Sequence, residues 1–199
     1  LHLSLRRQRQ MCIRDRVYST MDIPWEFRCL FWWKNIVKKK PGPPLIKINN
    51  NEHVINSILF LLPNKKEYAQ IINYLIKPEK ELPEHTIHYV CHKDALPYYP
   101  LGLHKNFITF GDDNLNQMGI ISNEPFLERI KALNNDALID LNITFNPATT
   151  MLAWESNNPL KIGFQSSISD KLYTIILENK GNGYFEKNFK TIEQLLGLS

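Results

Sequence analysis

From residue 57 onward, short wholly apolar runs alternate with stretches of helical period, and this alternation restricts the fold more than any other feature. "SILFLLP" at 57–63 is a continuous apolar run stopped by Pro63, as expected of a strand buried on both faces. "KKEYAQIINYLIK" follows, with Tyr68, Ile71, Ile72 and Leu75 on one helical face. "TIHYVCH" and "NFITF" read as the second and third strands, and "NEPFLERIKAL" as a helix capped by Asn123 with Pro125 in its first turn. "DALIDLN" is a fourth strand, "PATTMLAWES" a helix, "KIGF" a fifth strand and "LYTIILE" a candidate sixth. "FEKNFKTIEQLLGL" closes the chain as an amphipathic helix ended by Gly197. Strands and helices in this order predict parallel βαβ units: an α/β, Rossmann-like, doubly wound, mostly parallel sheet over residues 45–199.

Ahead of that domain, residues 17–44 read as an aromatic and basic helix followed by a Pro-rich linker. Trp25, Leu30, Phe31, Trp33, Ile36 and Val37 supply the apolar positions, and Pro41-Gly42-Pro43-Pro44 stops the helix. Lys38, Lys39 and Lys40 suit the negative end of its dipole. One reading packs this helix on its own domain with a solvated basic end. The competing one lays it on a membrane, with Trp32 and Trp33 among the headgroups and Lys38, Lys39 and Lys40 on anionic lipid.

The front of the chain is different in kind. "RRQRQMCIRDR" has no apolar periodicity, and its five arginines and one aspartate account for the whole net charge of +4, from 24 basic and 20 acidic residues. A basic arm of this composition would ordinarily suggest nucleic acid. Written as codons, however, residues 6–15 reproduce one frame of a transposon adapter used in preparing sequencing libraries. Residues 1–16 are therefore expected to be translated adapter and an unpacked tail, with the native chain starting in 17–21. Without them the chain is near neutral, and no nucleic-acid partner is expected. A far end cut in the same way is a further expectation.

About 180 residues remain, enough for one domain with a real core. Cys29 and Cys91 form neither a CxxC motif nor a disulfide framework, which suits a reducing, cytoplasmic compartment. No apolar run approaches the ~20 residues of a membrane span.

In a doubly wound sheet, ligands gather at the carboxyl ends of the strands. That nominates the loops after Leu62, Cys91, Phe110, Leu141 and Phe164. The turn after the first strand, "PNKKEY", has no glycine, so neither a dinucleotide fingerprint nor a P-loop is present, and there is no GxSxG elbow. His88 and His92 share a face but have no third ligand, so no metal site is expected. His92 and Lys93 fall at a strand's carboxyl end and are binding candidates. Asp136 reads as a solvated strand start, while Asp140 either caps a neighbouring loop or faces the crevice; Asn142 and Thr144 belong to the same loop.

The later segments, "DALIDLN", "PLKIGF", "LYT" and "YFEKNFKTIEQLLGL", in that order and spacing, resemble the first domain of glycosyltransferase family 9, the heptosyltransferase family of lipopolysaccharide assembly. The resemblance covers residues 58–198. It implies a cytoplasmic protein, peripheral at the bacterial inner membrane, forming the acceptor-side half of a GT-B enzyme. That half would bind a glycan or lipopolysaccharide-core acceptor through Asn64, Lys65, Lys66, His92, Asn142, Lys161 and Gln165. The nucleotide-sugar donor would bind only through a second domain that this chain lacks. The family's aspartate base is absent from the first turn, so the resemblance implies no catalytic residue, no cofactor and no activity for this chain alone. The alternative is a stand-alone, non-catalytic Rossmann-like binding domain.

Overall fold

The computed structural model describes residues 23–38, 55–73, 76, 85–178 and 184–198. The adapter-like segment, the Pro-rich linker, Lys39 and Lys40 lie outside these residues. The described elements are α1 (Trp25–Lys38), β1 (Ser57–Leu61), α2 (Lys66–Asn73), β2 (Thr86–His92), β3 (Phe107–Phe110), α3 (Glu124–Ala132), β4 (Ala137–Asp140), α4 (Pro147–Glu155), β5 (Leu160–Phe164), α5 (Ser169–Leu172), β6 (Ile175–Leu177) and α6 (Tyr184–Leu196).

All six strands are parallel, in the order β3-β2-β1-β4-β5-β6. The expected α/β, doubly wound, Rossmann-like fold is what forms. Period-two alternation divides each strand between two cores. Ile58 and Phe60 of β1 face one core, with Ala69 and Ile72 of α2 and Phe189 and Ile192 of α6. Leu59 and Leu61 face the other, with Phe126 and Ile130 of α3, and Met151 and Leu152 of α4. Strands covered on both sides must be apolar throughout, which is why "SILFL" and "ALI" show no polar alternation.

Two connections depart from the expected pattern. Between β2 and β3 the chain runs through two 3₁₀ turns, Lys93–Tyr98 and Leu101–Asn106, because Pro97 and Pro100 prevent a continuous helix. Between β5 and β6 lies the single turn α5, so Tyr173 precedes the sixth strand instead of belonging to it. The expected caps are in place: Asn123 accepts from the Phe126 amide at 2.9 Å.

Helix α1 packs on the second core through Phe27 and Phe31, which meet Phe145 and Trp154 at ring-centroid distances of 4.9 and 5.3 Å. Lys34 adds an ion pair to Glu155 at 2.7 Å. Among the described residues no helix is long and apolar enough to cross a membrane.

Candidate functional site at the carboxyl edge of the sheet

The strand order reverses between β1 and β4. The chain leaves β1 towards α2 on one face and leaves β4 towards α4 on the other, so the two loops diverge over the carboxyl ends of these strands, where a sheet of this topology has its crevice.

Five of the seven candidate side chains surround the end of β1. Asn64 and Lys65 are exposed on the turn that leads into α2, and Lys66 is exposed at the first position of that helix. His92 ends the neighbouring β2, and its backbone N–H donates to Asn64 Oδ1 at 3.4 Å. Asn142 follows β4 on the other side and donates through Nδ2 to the Leu61 carbonyl at 3.4 Å. Tyr99 secures the turn from below, its phenol donating to the Pro63 carbonyl at 2.7 Å while burial pushes the phenol's pKa up.

His92 is nearly buried and has two partners. Its Nδ1 accepts from the Asp94 amide at 3.3 Å, capping the first 3₁₀ turn. Nδ1 also lies 3.5 Å from Asp94 Oδ2, and Nε2 lies 3.2 Å from Asp112 Oδ1. Lys93 reaches Asp113 at 3.4 Å. His88 lies four residues back on β2, about 13 Å away along an extended chain, and its Nδ1 lies 3.2 Å from Asn135 Oδ1. The two histidines therefore serve opposite edges of the sheet.

Beneath the crevice is a closed polar cluster. Asp140 is 3% exposed. Its Oδ1 accepts from the Asn142 amide at 3.0 Å and from Asn142 Nδ2 at 2.7 Å, and its Oδ2 accepts from the Tyr173 hydroxyl at 2.8 Å. Burial raises the pKa of the carboxyl above its ordinary value even though all three donors act in the lowering direction. Asp140 thus holds the β4 loop in place and does not face the crevice. Asp136, expected to be a solvated strand start, accepts from the amides of Asn56 and Ser57, both at 3.0 Å.

Gln165 lies at the same edge but two strands away, after β5, where its amide donates to the Leu177 carbonyl at 2.9 Å. Lys161 does not join the group. It points to the carboxyl end of α4, where Nζ donates to the carbonyls of Ala153 and Ser156 at 2.8 and 2.7 Å. Cationic capping of a helix end accounts for that position.

Sequence reasoning missed Asp112 and Tyr173. Asp112 lies in an exposed turn with no local signature. Tyr173 had one, because a glycine inside a strand marks a close approach: its ring lies over Gly163 of β5, where any Cβ would collide with it.

A concavity of about 330 Å³ lies at the opposite edge, between α3 and α4. Several of its polar groups already have partners within the fold: Asp136 and Glu155 as described, and Asn158, which donates to the Asn135 carbonyl.

Cys91 lies inside the first core, and burial pushes its thiol up to about 12. Iodoacetamide should leave it unmodified in the native protein, whereas exposed Cys29 reacts. Peptide mass mapping before and after denaturation checks this; native labelling of Cys91 would contradict the packing.

No family model matches the chain, and no curated protein matches it. A solved structure of a PPC decarboxylase mutant complexed with pantothenoylaminoethenethiol is similar at 12% identity and a TM-score of 0.36, covering 72% of this chain and 79% of that one. A superposition this loose carries no argument about this chain's chemistry. These findings correct the resemblance to glycosyltransferase family 9: neither a family model nor a curated protein supports it. The heptosyltransferase, GT-B and lipopolysaccharide readings fall with it, and nothing favours the stand-alone non-catalytic domain either. The segments that carried the resemblance have structural roles, with Asp140 bonded to Tyr173 and Asn142, Lys161 capping α4, and Gly197 turning the chain after α6 at φ 69°.

Proposed function

We propose that the crevice over β1 and β4 binds a small organic anion bearing a carboxylate or a phosphate monoester. The observation that carries this reading is the position of exposed Lys65 and Lys66, on the turn after β1 and at the first position of α2, where the strand order reverses. The same stretch, Pro63-Asn64-Lys65-Lys66, lacks the glycines that let a backbone approach a pyrophosphate. Side-chain ammonium groups therefore do the recognising, and as flexible point charges they suit a single compact anion better than a dinucleotide. Asn64 and Asn142 hold the two walls by bonds to backbone, and His92 connects the floor of the crevice to Asp112.

Calorimetry with inorganic phosphate and with citrate tests the proposal. Lys65→Ala/Lys66→Ala should weaken binding roughly 30-fold, at about 1 kcal/mol for each exposed charge contact. Affinity unchanged in that variant would refute the site. Unpaired Cys29 and Cys91 support a reducing, cytoplasmic setting for it.

A further inference from the structure

Helix α1 is apolar on two opposite faces. One face is used, with Phe27 and Phe31 packed on Phe145 and Trp154 and with Lys34 paired to Glu155. The other carries Trp25, Cys29, Trp32, Trp33 and Ile36, which follow the i, i+4, i+7, i+8, i+11 spacing of a single helical stripe. Trp25, Trp32, Trp33 and Ile36 are 69%, 62%, 58% and 53% exposed. Three tryptophans on one solvent face are out of keeping with an ordinary domain surface, where large apolar side chains occur singly.

We infer that this stripe docks the protein on an anionic lipid surface. Tryptophan combines an apolar body with an N–H, which suits the depth of lipid headgroups. The stripe holds no carboxylate; Glu26 and Arg28 beside it offset each other, and Lys38, Lys39 and Lys40 follow in sequence at the helix end. Aromatic residues on one helix face with lysines following in the sequence suit an interfacial helix. A second copy of the chain fits less well. The exposed part of the stripe is roughly 600 Å², below the ~800 Å² that each partner contributes to a standard stable interface. The inner face of α1 also holds Phe145, in the loop between Asn142 and α4, so docking would set the crevice at a fixed attitude to the bilayer.

Cosedimentation of the full chain with phosphatidylcholine vesicles, with and without about one third phosphatidylglycerol, tests this. Binding should require the anionic lipid, weaken with salt, and shift the tryptophan emission to the blue. The signal can be assigned because Trp154, the remaining tryptophan, is buried. Trp32→Ala/Trp33→Ala should reduce partitioning tenfold or more while leaving the circular dichroism unchanged. Residues 6–16 are identical in both proteins, so the difference isolates the helix from the arginine-rich front. Binding that persists undiminished in the double variant belongs to that front and overturns the inference. So does failure of the unmutated chain to bind, or a concentration-dependent dimer that the substitutions abolish without any lipid association.

Discussion

Asp140→Ala is expected to lower the unfolding free energy by about 3 kcal/mol, because it strands two buried donors of Asn142 and the Tyr173 hydroxyl and leaves a cavity. Asp140→Asn should be much milder: its amide oxygen can accept from Asn142 while its nitrogen donates to Tyr173. The pair also separates a charge effect from a packing effect. Burial holds the Asp140 pKa above the ordinary 3.8. A group raised on folding contributes stability that is fully present below its unfolded value and is lost as pH rises through its folded value. The stability of the native protein relative to Asp140→Asn should therefore fall as pH climbs from about 4, then level off. Urea melts across pH 3.5–8 measure this, and a difference that grows with pH would contradict the burial argument.

The second large effect is expected at Gly163. A Cβ there would lie no more than 2.6 Å from three carbons of the Tyr173 ring, so the ring must leave its place over β5 and release Asp140. Overpacking and the lost hydrogen bond together give about 3 kcal/mol for Gly163→Ala. In a Tyr173→Ala background the same substitution should cost under about 1 kcal/mol, since the obstacle is gone. A double-mutant cycle by chemical denaturation checks this. Additive single effects would show that the ring is not what requires glycine.

These two positions illustrate what could and could not be read from the residues. The strands were legible because burial on both faces leaves no choice of residue type: "SILFL" and "TIHYVCH" become β1 and β2 almost to the residue. The caps were legible because Asn123 and Pro125 act on their own helix. The reach of single side chains was not. Lys161 alternates onto the face that carries α4, and only the packed helix shows that its ammonium finds carbonyls at the edge away from the crevice. Asp140 could be placed at a strand end, but its partner Tyr173 is 33 residues away, beyond any local pattern. The resemblance to a glycosyltransferase failed for a related reason. Short strand ends, basic residues before a strand and a Leu-Gly-Leu helix stop meet the needs of parallel βα units in general, so they report fold rather than chemistry.

Titration of the isotopically labelled protein with inorganic phosphate, followed by amide chemical shifts, tests the central claim most directly. The crevice reading predicts shifts at residues 64–67 and 142–144 that vanish in Lys65→Ala/Lys66→Ala. Shifts confined to the opposite edge, around residues 134–136 and 155–158, or none at all, would contradict it.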